Sequence, residues 1–164
     1  MVSQPLSHEL ENEKLVVDGY VDLFEFVLSV DGEVSYLRIK NNNSVEWNGF
    51  HWEGVPLMFD GYENSSLTAP KRPQFAVANP NGVFSSYIRD GYLVNATMNR
   101  YRVLYTNVVE NKPIYQKQKW KVWAPVSFDD KQITLELRTP MDGFNSSIPA
   151  RVYKPPEFPV VSLK

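Results

Sequence analysis

Cysteine is absent from this chain of 164 residues. That excludes disulfides, thiolate nucleophiles, cysteine-ligated zinc and iron–sulfur chemistry on these residues. Histidine is nearly absent too, with His8 and His51 alone, so a histidine-built metal site is not expected. No apolar run approaches the ~20 residues of a membrane-spanning helix. The start, Met1-Val2-Ser3-Gln4-Pro5, lacks the basic flank and apolar stretch of a secretory leader. The eight glycines form neither a phosphate-cradling loop nor a calcium loop. These absences lead us to expect a soluble protein made in the cytoplasm, with no cofactor, no metal and no membrane partner. At 43% apolar and 22% charged residues, the chain has the composition of one folded domain rather than a disordered segment.

Charge of either sign is unevenly placed. Residues 1–63 carry twelve Asp or Glu against three Lys or Arg; residues 64–164 carry seven against fourteen, so balances of −9 and +7 make up the net −2. Two arrangements fit. The halves interleave and their charges mix, or the molecule has an acidic and a basic face that can meet head to tail. A net negative chain lacks the basic footprint of a tight nucleic-acid binder.

Most segments read as β. Residues 21–30 and 34–39 are rich in β-branched and aromatic side chains and are separated by the turn Asp31-Gly32-Glu33. In Val45-Glu46-Trp47-Asn48-Gly49-Phe50-His51-Trp52 the Asn-Gly pair predicts a two-residue type I′ hairpin, whose central positions both need positive φ. Asp60–Pro73 is longer than hairpin closure requires. Gln74–Ala78 predicts a short strand, and Leu93–Thr106 a long one with an irregularity near Asn99. Lys117, Lys119 and Lys121 alternate with Trp120 and Val122; beyond Asp129-Asp130-Lys131, Ile133, Leu135 and Leu137 alternate with Thr134, Glu136 and Arg138. Two such strands make a hairpin with one wet face. Short helices are expected near residues 7–14, with Ser7 as cap, and over Val83–Arg89, ended by Asp90-Gly91. The proline-rich end, Lys154-Pro155-Pro156-Glu157-Phe158-Pro159, cannot join a central strand. The pattern predicts a mainly β fold, an antiparallel sandwich or barrel of about seven to nine strands with one short flanking helix.

Catalytic constellations are not apparent. His51 sits between Phe50 and Trp52 and reads as a sheet histidine rather than a base, and Asp129-Asp130 as turn polarity rather than paired catalytic carboxylates. We therefore expect no enzyme. Four tryptophans and nine tyrosines raise a carbohydrate-binding module as an alternative. Their dispersal, with Trp47 and Trp52 on one hairpin and Trp120 and Trp123 on opposite faces of another strand, favours core over a single stacking platform.

The string Val45-x-Trp47-x-Gly49-x-x-Trp52, followed by Pro56-Leu57, Gly61-Tyr62-Glu63 and Arg72-Pro73-x-Phe75-x-Val77-x-Asn79-x-x-Gly82, resembles the minor tail protein L family of lambda-type siphophages. Upstream Val21-Asp22-Leu23-Phe24-Glu25 supports it. So do the Trp120 strand, Thr139-Pro140, Asp142-Gly143 and Ile148-Pro149-Ala150-Arg151 downstream, so the resemblance spans most of residues 20–153. It implies a tail-tube-like β domain over 1–153 and a Pro-rich extension over 154–164. The protein would be a virion component forming a ring in the distal tail or baseplate, a hexamer in preference to a trimer. Its implied partners are the tail-tube protein, the distal tail protein and the baseplate hub protein, with DNA crossing the lumen without tight binding. Lambda-type members carry a further cysteine-bearing C-terminal region with an iron–sulfur cluster. With no cysteine up to Lys164, neither is expected here. Tyr62, Lys71, Arg72, Arg151 and Phe158 are the candidate ring-interface residues. The 60–73 segment is expected to reach the adjacent ring, and 154–164 to extend as an arm onto a neighbour.

Overall fold

The computed structural model describes residues 19–60, 72–79, 82, 84–129 and 131–140. The expected helix near residues 7–14, most of the 60–73 segment and the C-terminal extension lie outside them. Among the described residues there are nine strands and two short helices. In chain order they are β1 (Tyr20–Val30), β2 (Glu33–Lys40), β3 (Val45–Trp47), β4 (Phe50–Gly54), β5 (Leu57–Asp60), β6 (Gln74–Ala78), α1 (Ser85–Arg89), β7 (Thr97–Leu104), α2 (Tyr105–Val109), β8 (Gln116–Phe128) and β9 (Gln132–Arg138). The strands form one sheet in the order β3-β4-β2-β1-β7-β8-β9-β6-β5.

That order, with its connections, forces the sheet to curl. β4 lies near one end and β5 at the other, yet only Val55 and Pro56 separate them in the chain. Val55 N–H donates to Lys40 O at the end of β2 (2.9 Å), and Pro56 O accepts from Ala78 N–H at the end of β6 (2.8 Å). The two ends of the sheet are thereby joined through two residues, and the result is barrel-like. Phe75 on β6 packs edge-on against Phe24 (ring centres 4.9 Å apart) and Phe26 (5.3 Å) of β1, four places away in the sheet, so these contacts cross the interior. Trp120, Val122, Ile133, Leu135 and Leu137 complete this core from β8 and β9, as the period-2 alternation predicts.

A second, smaller core lies on the outer face of β1 and β7. The β3–β4 hairpin swings across it, with Asn48 (φ 54) and Gly49 (φ 76) forming the expected type I′ turn. Trp47 and Trp52 pack there with Leu23, Val103 and Val108. Trp47 Nε1–H donates to Lys112 O (3.1 Å) and Asn48 N–H to Asn111 Oδ1 (2.7 Å), pinning the hairpin to the loop after α2.

Four expectations are corrected. The Leu93–Thr106 segment is a strand only over Thr97–Leu104. Asn95 in the left-handed conformation (φ 62) bends the chain before it, and beyond Leu104 the chain leaves the ladder as α2, burying Val108 under the hairpin. Asn99 itself is in regular register with Glu25 and Lys119; the irregularities fall on β8, at Trp123 and Val126. They flank Pro125, which has no N–H for a ladder bond. An unexpected short helix, α2, follows β7, and α1 begins at Ser85 rather than Val83. Buried Asn79 ties down its entry, accepting from Phe84 N–H (3.0 Å) and donating to Ser85 Oγ (2.9 Å). Finally, the sheet is not wholly antiparallel, because β2 and β4 pair in parallel at Ile39–Glu53 and Lys40–Gly54.

That parallel crossing depends on Gly54. A Cβ there would run into the carbonyl oxygen of Asn42 and the amide nitrogen of Ser44, both backbone atoms that cannot swing aside. Gly54→Ala is expected to cost about 3 kcal/mol or more in a denaturant titration, whereas Gly32→Ala, in open space and strained only by its φ of 87°, should cost less.

Candidate assembly surfaces

Period-2 alternation sorts the charged side chains of the barrel onto its inner and outer faces. Inside one mouth, Arg100 reaches Asp22 through two nitrogens (3.0 and 2.6 Å) and Gln118 Oε1 through a third (3.1 Å). Its guanidinium lies 4.7 Å from the centre of the Phe59 ring. Arg102 donates to the same Asp22 carboxylate at 3.3 Å. Asp22, Tyr20, Lys40 and Phe59 line an open recess of about 480 Å³ at this mouth. One carboxylate thus serves both guanidiniums.

On the outer face, Glu25 is buried beneath the edge of the hairpin and fully partnered. Oε1 accepts from Asn99 Nδ2–H (3.1 Å) and from the Tyr101 hydroxyl (3.0 Å), and Oε2 from Arg38 Nε–H (3.0 Å). The Tyr101 phenol is pushed far above its ordinary pKa, first by burial and then by the charge of Glu25. Arg38 in turn lies 3.9 Å from the Phe50 ring centre and 4.9 Å from that of Tyr36. This cluster spans β2, β1, β7 and β4, and no short sequence motif announces it.

Outside that cluster opposite charges pair at Arg72–Glu136 and Lys112–Glu110, and two rows of like sign stand apart. The solvent face of the β3–β4 hairpin carries Glu46, His51 and Glu53, with His51 Nδ1 2.5 Å from Glu46 and Nε2 3.2 Å from Glu53. The outer face of β8 carries Lys117, Lys119 and Lys121, all exposed. Val34 (61% exposed), Tyr36 (52%) and Phe50 (45%) form exposed apolar surface around Arg38, beside the acidic hairpin. Among the described residues, no group of three or more His, Cys, Asp or Glu is placed to hold a metal ion.

Of the five interface candidates named from sequence, only Arg72 is described. It pairs with Glu136 of β9 in its own chain at 2.6 Å, so the charge expected to serve a neighbour is engaged within the subunit. Tyr62, Lys71, Arg151 and Phe158 lie outside the described residues. Sequence reading missed the Glu46–His51–Glu53 row; the hairpin alternation that places Trp47 and Trp52 inward was the signal that could have placed it outward. Trp47 and Trp52 are 1% and 2% exposed and Trp120 is buried, while Trp123 lies under the Arg138 guanidinium (3.3 Å).

No family model and no curated protein sequence matches the chain, so the likeness to minor tail protein L stays a resemblance carried by the residues quoted for it. Among solved structures, the fold is similar to a chain of a structure titled "Virion of native gene transfer agent (GTA) particle". The TM-score is 0.64 at 15% identity, over 92% of this chain and 50% of that one. The likeness is one of fold, and the chain spans about half the length of the structure it matches.

Two measurements check the electrostatics. Glu25→Ala leaves Arg38 unpaired in a mostly buried position and is expected to cost about 3–5 kcal/mol in chemical denaturation, while the paired change Glu25→Leu with Arg38→Met should recover much of the loss. For His51, hydrogen bonds to Glu46 and then Glu53 raise the pKa above the ordinary 6.5. A raised folded-state pKa means that its stabilising contribution is present below about 6.5 and fades as pH rises through the folded value. An NMR titration of the imidazole should show that elevation, and Glu46→Gln should lower it.

Proposed function

We propose that this chain is a structural component of a virion, a ring subunit of the distal tail or baseplate of a long-tailed phage-like particle. The observation that carries the proposal is the fold likeness to a chain of the gene transfer agent virion, extending over 92% of this sequence. The ordered motifs of residues 45–82 support it independently, as does a surface divided into unlike charged patches. On this reading the ring continues the tail tube toward a central hub, sixfold in preference to threefold. Its neighbours are the tube protein, the distal tail protein and the hub. The barrel works by shape and contact, without a catalytic step. On this reading DNA passes the lumen without being held, so the channel lining is not basic.

A carbohydrate-binding role would need exposed aromatic platforms, and burial of Trp47, Trp52 and Trp120 takes three of the four tryptophans out of that service. Electron microscopy of particles made with and without this chain tests the proposal. Tails should be missing or truncated in its absence, and a ring of nine-stranded barrels should be visible near the tail tip in its presence. Normal tails without the chain, or glycan binding by the isolated domain, would overturn it.

A further inference from the structure

The outer faces of β1 and β7 are covered by the β3–β4 hairpin and α2, but among the described residues nothing of the kind covers that of β8. Lys117, Lys119 and Lys121 stand on it in a row, about 6.8 Å apart along the strand. Their cross-strand neighbours are Tyr101, Asn99 and Thr97 on β7, and Arg138 opposite Lys121 on β9; none is acidic. Lys117 rests on the Tyr101 ring (5.0 Å) and Lys121 donates to Asn95 O (3.2 Å), and neither partner neutralises the charge. Three cations on one strand face, with no acidic partner among the described residues, raise the question of what faces them.

The same molecule supplies a complement. Glu46 and Glu53 project from the solvent face of the hairpin, and the cation bracketed by them, His51, is a titrating one rather than a fixed one. The hairpin row has exposed apolar surface beside it in Phe50 and Tyr36, and β8 carries exposed Val126 further along the strand from its lysines. Apolar contact flanked by charges of opposite sign is the composition of a docking interface in which charge sets register and rate. The two patches lie on different elements of one subunit, so one copy can offer its lysines to the hairpin of the next, and a heterologous contact of that kind repeats from copy to copy.

We propose that the lysine row of β8 in one copy docks onto the Glu46–Glu53 face of the β3–β4 hairpin in the next, forming the head-to-tail contact of a ring. The assignment rests on the ring reading of the preceding section and names its interface. All the side chains concerned are exposed, so charge changes there leave the barrel core untouched.

The test is a charge swap in the full chain, read by sedimentation velocity and native mass spectrometry at low and high salt. One variant carries Lys117→Glu, Lys119→Glu and Lys121→Glu; the other carries Glu46→Lys and Glu53→Lys. Wild type should assemble at low salt and disperse at high salt. Each variant alone should associate at least about tenfold more weakly, and an equimolar mixture should reassemble with the two variants alternating. Alternation closes only rings with an even number of subunits, so a sixfold ring re-forms and a threefold ring cannot. Should a reversed protein fail to fold by circular dichroism, Lys117→Gln with Lys119→Gln and Lys121→Gln replaces it, with weakened association and a shallower salt dependence expected. If both variants assemble as wild type does, the pairing is wrong while the ring reading survives. If wild type stays monomeric at every salt and concentration, and no ring appears in particles, both fall. Loss of duplex-DNA binding on lysine reversal, with association unchanged, would overturn the pairing and assign the row to nucleic acid.

Discussion

Burial of β1 on both of its faces is the constraint from which most of the architecture follows. Phe24, Phe26 and Leu28 point into the barrel, so Leu23 and Glu25 must point out, and Leu23 is too apolar to be left in water. Something has to cover that outer face, and the β3–β4 hairpin does so with Trp47 and Trp52. The cover then desolvates Glu25, whose charge would be costly without partners. Arg38, Asn99 and Tyr101 come from the strands on either side of β1 and meet it from both directions. A single strand with no wet face thus dictates the second core, the buried carboxylate and the position of the hairpin.

How much of this was legible depended on whether the signal was local. The β8–β9 hairpin was plain because Lys117, Lys119 and Lys121 alternate with Trp120 and Val122, one face wet and one dry. Asn48-Gly49 fixed its own turn through the conformational demand at both positions. Tyr105 and Thr106 read as the end of a strand because tyrosine and threonine favour strands, and within Tyr105–Val109 no local signal marks the helix. Its helicity comes from tertiary burial of Val108, and the one local clue was Asn111, which adopts φ 53 and donates back to Val108 O (3.2 Å) beyond the helix end. The Glu25 cluster had no local signal at all, since residues 25, 38, 99 and 101 meet only once β2, β1 and β7 are paired. Pairing order was likewise hidden: nothing in the strands themselves says that β7 rather than β3 lies beside β1.

The two readings of the charge asymmetry each describe part of the molecule. Asp22 with Arg100 and Arg102 joins an acid of the first half to bases of the second inside the barrel mouth, so there the halves interleave and the charges mix. On the outside some opposite charges pair as well, Arg72 with Glu136 and Lys112 with Glu110, but two rows of one sign stand apart. The hairpin that covers β1 must turn its tryptophans inward, and alternation then sends Glu46, His51 and Glu53 to solvent. The same alternation, applied to β8, sends lysines outward because Trp120 and Val122 fill the interior. Segregated surface charge is therefore a consequence of which strands carry which inward residues.

Closure also decides how such a subunit can meet a neighbour. A nine-stranded open sheet would present two free edges, and edges are the natural template for adding strands from another chain. Here the terminal strands β3 and β5 are three and four residues long, and the chain runs directly from β4 through Val55 and Pro56 into β5, where both ends of the sheet are engaged. Ladder extension from either edge could add only a few hydrogen bonds. The outer face of β8, by contrast, runs over a strand of 13 residues and, among the described residues, lacks the cover that β1 and β7 have. For a barrel closed in this way, area and charge favour contact through faces over contact through edges, and the longest uncovered strand is where that contact has most to offer.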